Sequence, residues 1–512
     1  MGIPSYFRRL LQTYPACRSR TAPPGVTSLQ FDFNCLIYRC LRAPMVLPYP
    51  GDTAGYDAMD AWKSSFFTEI RRTVKEVWAA AGRPREVFLA VDGVVPMAKI
   101  RQQRVRRFKS AWLRTLQGSA DPVWDQNAIT PGTEFMESLG AMLKEMCRGE
   151  GTGWTVSGAD EAGEGEHKIM ARLRAQSQAQ AQGLTLVYGL DADLILLTLL
   201  TEASTGTPLW LIRETQEFEG GGGTKVDGSY SLLHMAEVRR RLGLTTEADV
   251  VNYVALMSLM GNDFLPHSLT YKLNDDGHEA VLAAARGAPL VERGVDGRWT
   301  LCMDRFRDLC AGWATEEQTR FIQMIQKKTA QARRGVLKGM EESEALPLTW
   351  AVEAVFEDAG QLRADWRDVY WSHLHADTDA TDRAVFCQEY VRGCQWILDY
   401  YTGREVDRGW MFPAWIPPLW ADLAQAQSVP LAETQGRGVP TPQEQLAMVL
   451  PVESWGLVRD RTLRLAPRLA PQFWPRQFGF FSFGRTWLWQ CEARVPVLTV
   501  ERLRNVLLRD SR

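Results

Sequence analysis

Short apolar runs, several of them ending in an acid, alternate with stretches of helical period through the first half of the chain. SLQFDFN, REVFLAVDG and LTLVYGLDADLILLTLL predict buried strands, and PLWLIRE predicts another. Between them the spacing predicts a helix over 57–81 that ends near Gly82. A second helix over 133–146 is opened by Pro131-Gly132-Thr133. From about Leu301 the pattern turns helical and then proline-rich. Residues 389–401 (EYVRGCQWILDYY) predict an apolar helix, and WMFPAWIPPLW a rigid packed arm. Residues 428–442 read as a linker, and FGFFSFGRTWLWQCEARVPVL as a closing hairpin around a tight Phe-Gly-Arg turn. Strands alternating with helices predict an α/β fold. The expected division is a first region over 1–290, a helical connector over 291–345 and a second region over 346–512.

Composition narrows the class. The chain has 512 residues, of which 45% are hydrophobic and 23% charged, ordinary values for a globular protein with more than one sizeable core. Its net charge of −2 provides no global basic field, so any contact with nucleic acid must come from a local patch. Nine scattered cysteines without a CxxC pair, and six histidines without zinc spacing, argue for a reducing compartment. No apolar run is long enough to span a bilayer, and MGIPSYF lacks the blocks of a secretory signal. The expected location is therefore intracellular and away from membranes, with cytoplasm, nucleus and a virus-encoded protein all open. The glycine run 220–223 predicts a flexible surface loop. Without a following Lys-Ser or Lys-Thr it is not a Walker-type phosphate loop.

The candidate chemistry lies in seven acids set mostly against apolar runs: Asp32, Asp92, Glu164, Glu166, Asp191, Asp193 and Asp263. Asp191 and Asp193 are two apart, a spacing that puts both on one face of a strand. Glu164 and Glu166 share that spacing, with Gly163 and Gly165 allowing a sharp turn. Asp92 ends FLAV, and Asp32 interrupts LQF and F, places that do not suit an uncompensated charge. Helix caps or turn bonds explain one or two such acids, not seven. Gathered together they would repel one another unless cations sat among their oxygens. Hard oxygen ligands suit Mg²⁺, with Mn²⁺ as an alternative, and paired hard cations suit phosphodiester hydrolysis.

A second constellation follows Asp92 in PMAKIRQQRVRRFKSAW. Lys99, Gln103, Arg106 and Arg107 fall at i, i+4, i+7 and i+8, one face of a helix. Three cations and an amide suit a terminal phosphate. The remaining charges, Arg101, Arg104 and Lys109, are expected to contact backbone phosphates. The competing reading is a solvated basic helix.

Together these segments resemble the Xrn family of 5′→3′ exoribonucleases. MGIPSYFRRL, FDFNCLIYRC, FLAVDGVVPMAKIRQQRVRRFKSA, WDQNAITPGTEFM, GEGEHKIM, YGLDADLILL and MGNDFLPH follow in the family's order. YVRGCQWILDYYTG, EQLAMVLP and FGRTWLWQCEARVPVL resemble its second region. The resemblance implies a central mixed, largely parallel sheet related to the flap-endonuclease group, with a helical, Pro- and Trp-rich second region closing over the site. It implies Mg²⁺-dependent, processive release of mononucleotides from single-stranded RNA carrying a 5′-monophosphate, with two ions. All seven acids match the family's metal ligands, and Lys99, Gln103, Arg106 and Arg107 match its 5′-phosphate pocket. Tyr38 stands where the family has a base-stacking histidine, and Trp455 is the candidate for the second stacking aromatic. Lys168 is expected as a further phosphate contact. Asn34, Asn127 and Asn262 are expected to orient the acids. His167 reads as a packed histidine more readily than as a substrate contact.

The resemblance also implies differences. The protruding helix of many members is expected to be a stub, and the accessory domains of the long cytoplasmic members to be absent, with the partner contacts they make. Protein partners are not readable from the residues. Two rivals stand beside this reading: a structure-specific flap-type DNA nuclease, and a non-catalytic RNA-binding scaffold of the same fold.

Overall fold

The structure is a computed structural model that describes residues 6–117, 123–178, 183–189, 191–215, 230–273, 275–334, 347, 355–357, 361–376, 378, 382–428 and 438–508. The glycine run 220–223 and most of the predicted linker lie outside them. A seven-stranded sheet organises the first half. Its strands are β1 (Arg18–Ser19), β2 (Val26–Asp32), β3 (Glu86–Ala90), β4 (Trp154–Ser157), β5 (Leu184–Tyr188), β6 (Leu209–Glu214) and β7 (Tyr230–His234). The order across the sheet is β1-β7-β6-β5-β2-β3-β4. The five strands from β6 to β4 are parallel, while β7 and β1 add an antiparallel edge.

That order places a crevice. β2 is central, with β3 on one side and β5 on the other, so the chain turns in opposite directions on leaving β2 and β4. Ligands of open parallel sheets gather at such switch points, beyond the carboxyl ends of the strands. Asp32 is the last residue of β2 and pairs with Ala90, so Asp92 follows two residues beyond. Phe31 pairs with Tyr188, which puts Asp191 past the end of β5 on the same edge. The strands are buried on both faces, which is why their sequences are nearly continuous apolar runs.

Two cores sandwich the sheet. One face is covered by helices Asn34–Leu41, Tyr56–Ala80 and Glu134–Glu150. The other core runs on through helices Met97–Gln117, Gly165–Gln178, Asp193–Thr205 and Glu247–Ser258 into the second half of the chain, including helix Arg383–Thr402. No described helix is long and apolar enough to cross a membrane.

Several sequence expectations change. The leucine-rich run after β5 is a helix, Asp193–Thr205, rather than a continuation of the strand. Its residues are almost all buried, so apolarity alone did not reveal its period. Asp191 and Asp193 are therefore not on one face of a strand. The closing hairpin is reduced to the two-residue strands Phe480–Phe481 and Glu492–Ala493, joined through a 3-10 turn at Leu488–Gln490. The end of the predicted linker is the start of helix Pro442–Val449, with Thr441 as its cap and Pro442 at its first position.

Candidate active site

The acids reach the crevice by different routes. Asp32 is carried on β2 and is 8% exposed. Asp92 is fixed by three contacts. Asn34 Nδ2 donates to Oδ2 at 2.9 Å, Asp92 N donates back to Asn34 Oδ1 at 3.1 Å, and Gly165 N donates to Oδ1 at 2.7 Å. Gly165 is required by space: a Cβ there would sit 2.7 Å from the Ala90 carbonyl oxygen and 2.8 Å from Asp32 Oδ1. Gly163, at φ +110°, makes the turn that precedes it. The glycines of GEGE thus press Glu164 and Glu166 against two strand ends. Asp193 opens its helix and is buried, whereas Asp191 is exposed.

The electrostatics register the crowding. Burial pushes the Asp32 carboxyl well above its ordinary value, and Asp92 and Asp191 push it further. Burial raises Glu166 strongly, reinforced by Glu164 and Asp193. Burial, then Asp263, pushes Asp193 up to about 7. Burial acts on Asp263 in the same sense, but the Lys99 ammonium outweighs it and holds that carboxyl well below its usual range. Lys99 Nζ lies 2.5 Å from Glu164 Oε2 and 2.7 Å from Asp263 Oδ2. Although burial works to lower Lys99, Asp263 and Glu164 carry it well above the ordinary lysine value.

The residues fit a divalent cation. Glu166 Oε2 and Asp193 Oδ1 are buried and have no hydrogen-bond partner among the described residues. A buried carboxylate oxygen without a donor is costly unless a cation occupies the space before it. Ligand atoms of Glu164, Glu166 and His167 all lie within 4.8 Å of one another.

The basic helix Met97–Gln117 has two sides with different fates. Gln103 and Arg107 are buried on the side that meets Thr130, with Gln103 Oε1 unpartnered among the described residues and Arg107 Nη1 donating to Thr130 Oγ1. Burial lowers Arg107 to about 10, partly opposed by Tyr38, a half-buried ring of helix Asn34–Leu41. Arg106 is half-buried; its carbonyl accepts from Ser110 Oγ at 2.9 Å, but its guanidinium makes no hydrogen bond or ion pair with a described residue. Thr130 Oγ1 donates to Asn127 O at 2.7 Å, and Asn127 Nδ2 donates to Ser454 Oγ at 2.8 Å. This chain of contacts ends beside Trp455, which packs edge-on against Trp474 at 5.1 Å.

Residues 1–215 match the family described as XRN 5'-3' exonuclease N-terminus, and residues 358–509 match the Xrn1 helical domain. A 5'-3' exoribonuclease 1 of Homo sapiens is 26% identical over 98% of this chain and 34% of its own length. A 5'-3' exoribonuclease 1 of Schizosaccharomyces pombe is 23% identical over 99% of this chain and 48% of its own length. A 5'-3' exoribonuclease 2 of Arabidopsis thaliana is 23% identical over 98% of this chain and 66% of its own length. The chain belongs to the Xrn family. It spans between about a third and two thirds of the length of these three relatives.

Against the expectations drawn from the sequence, the structure makes four corrections. Arg101, Arg104 and Lys109 are not turned to an RNA backbone. Arg101 donates to the carbonyls of Phe412, Pro413 and Ala414, Arg104 to those of Met448, Phe473 and Pro496, and Lys109 to those of Leu488, Trp489 and Cys491. Burial lowers Arg101 to about 10 and Arg104 to about 9. Lys168 is not open to substrate either, because its ammonium is held by Val91 O at 2.7 Å and Gly158 O at 2.8 Å beneath the Asp92 loop. Asn127 faces Ser454 rather than the acids. Asn262 accepts from the amides of Phe264 and Leu265, a turn role that shapes the loop carrying Asp263 without touching its carboxylate.

Two residues escaped sequence reasoning. Tyr400 Oη donates to Glu164 Oε1 at 2.7 Å, and its ring stacks on His167 at 3.8 Å. Tyr401 Oη donates to Asp193 Oδ2 at 3.4 Å. Both lie in the last turn of helix Arg383–Thr402, which Gly403 ends in a left-handed cap, and Arg174 clamps that turn through Tyr401 O at 2.7 Å. The second half of the chain thus orients acids of the first. The signal was present in DYY at the end of an apolar helix, since a buried tyrosine hydroxyl needs a partner.

Proposed function

We propose that this chain is a 5′→3′ exoribonuclease that takes single-stranded RNA by a 5′-monophosphate and releases mononucleotides. The observation that carries the reading is the pair of orphaned buried oxygens, Glu166 Oε2 and Asp193 Oδ1, in an acid nest beside the cationic Gln103–Arg106–Arg107 face. Family membership and the names of the relatives support the same activity.

Asp32, Asp92, Glu164, Glu166, Asp191, Asp193 and Asp263 are the residues that would hold two Mg²⁺ or Mn²⁺ ions, whose chemistry is to polarise the scissile phosphate and activate water. Gln103, Arg106 and Arg107 grip the terminal phosphate, Arg106 through a guanidinium that has no described ion-pair partner. Lys99 shares its charge between that phosphate and the acids. Tyr38 and Trp455 stack the leading bases, at roughly 1–3 kcal/mol per base. Asn34 holds Asp92, and Tyr400 and Tyr401 hold Glu164 and Asp193, so the nest keeps its shape while the substrate moves. Each cut leaves a new 5′-monophosphate on the remaining strand, so the same grip can be remade at every step, which is the basis for processive action. The nine free cysteines suit a reducing, intracellular setting.

The test sets a labelled single-stranded RNA beside a labelled flap DNA under identical conditions with Mg²⁺. Release of labelled mononucleotide from the RNA, with the flap intact, is expected. Flap cleavage without RNA decay would point to the DNA nuclease, and binding without cleavage of either to the scaffold.

A further inference from the structure

A second opening meets the acid nest from the other side of the basic helix. A cavity of about 200 Å³ lies between that helix and the second half of the chain, with Asp263 and Gln102 at its inner end. Gln102 Nε2 points at Asp263 Oδ1 from 3.4 Å, so this wall adjoins the Lys99–Asp263 pair directly. A further cavity of about 180 Å³ shares His267, Trp489 and Gln490 with the first, so these residues form the wall between the two. The far cavity is lined by Lys272, Lys327 and Arg485 against a single acid, Asp275, which pairs with Lys327 at 2.7 Å, while Lys272 Nζ donates to Gly484 O at 3.3 Å, so a cationic excess remains. Trp489, shared by both, is 38% exposed, unusual for so large a ring.

The polarity runs in one direction. Asp263 and Glu492 line the inner cavity with one cation, Arg101, whereas three cations line the outer one with one acid, Asp275. An anion leaving the nest is therefore favoured more by the second cavity than by the first, and the exposed Trp489 indole, which lines both, offers a surface for a base. On the reading above, each cut leaves the product nucleotide at the inner end of the site, with the remaining strand between it and the entrance. The product then either waits for the strand to withdraw or leaves by another way.

We infer that the adjoining cavities on either side of Trp489 form a site for nucleoside 5′-monophosphates, through which the product leaves while the strand stays bound. The inference rests on the exoribonuclease reading for its role but not for its binding chemistry. The phosphate is held by Lys272 and Lys327, and the base lies on Trp489.

Equilibrium dialysis of labelled AMP tests it, in EDTA so that nothing is cleaved, with a saturating 5′-phosphorylated single-stranded RNA occupying the 5′-phosphate pocket. AMP is expected to bind alongside the RNA. Lys272→Ala/Lys327→Ala and, separately, Trp489→Ala are expected to weaken it at least tenfold, with RNA affinity as the check on folding. AMP displaced fully by the RNA, or bound equally by wild type and both variants, would overturn the site. In Mg²⁺ the same variants are expected to lower the steady-state rate relative to the first-cut rate, and an unchanged ratio would overturn the exit role. Because AMP binding is read without catalysis, a chain that binds AMP in this way but degrades no RNA would refute the exoribonuclease reading and leave the site standing.

Discussion

The two sides of the basic helix Met97–Gln117 carry the same residue types in opposite surroundings. Arg104, three residues from Arg107, spends its guanidinium on three carbonyls of the second half of the chain. Arg106 keeps its guanidinium without a described ion-pair partner, two turns along the helix from Lys99, which pairs with the acids. A buried cation with its donors satisfied is a fastener, while one left with spare donors at a crevice is a receptor. The comparison teaches that a run such as RQQRVRR does not declare a nucleic-acid surface. Which arginines face substrate depends on where the rest of the chain supplies carbonyl oxygens.

The largest expected effect falls on the nest rather than on either side of the helix. Asp191→Ala should abolish RNA cleavage while leaving the circular-dichroism melt close to wild type, because Asp191 is exposed. Retained Mg²⁺-dependent decay by this variant would remove the nest from the mechanism. Next comes the contrast between the sides. Arg104→Ala strands buried carbonyls and should destabilise the fold by roughly 3–5 kcal/mol in denaturant titrations. Arg106→Ala should cost under about 1 kcal/mol in stability. Its activity loss should be confined to 5′-monophosphate RNA, at roughly tenfold or more. If Arg104→Ala is as stable as Arg106→Ala, the fastener reading fails. Tyr400→Phe should lower divalent-cation affinity by about 10–100-fold, read by titration calorimetry, with a smaller loss of stability.

The smallest effect is in pH. The Asp193 carboxyl, at about 7 in the fold against 3.8 ordinarily, keeps a proton across that window that the unfolded chain has released. Stability of the cation-free protein therefore falls as pH rises from about 4 towards 7. Thermal melts in EDTA should show a lower midpoint at pH 8 than at pH 5. Mg²⁺ should narrow the gap by neutralising the acids. A midpoint in EDTA that rises with pH would contradict the crowding of the nest.

How much of this was legible in the sequence depended on what each residue's environment shares with its neighbours in the chain. Asp32 and Asp92 stood out because each follows an apolar strand, and strand ends of a parallel sheet meet at one edge. Gly165 stood out because two glutamates flank it, and its contact with Asp32 gives the reason. The path of Asp191 to Asp193 was misread because a helix buried on all sides has no polar period to betray it. Arg101, Arg104 and Lys109 were misread, and Tyr400 and Tyr401 missed, for one cause. Their partners lie more than 200 residues away, and only the packing of the two halves brings them together.

The measurement that bears most directly on the central claim is digestion of RNAs that differ only at the 5′ terminus, with and without Mg²⁺. On the proposed function, a nest of acids beside a helix face that takes the terminal phosphate predicts rapid mononucleotide release from 5′-monophosphate RNA in Mg²⁺, much slower release from 5′-hydroxyl RNA, and none in EDTA. Equal rates on the two termini, or decay that persists in EDTA, would contradict it.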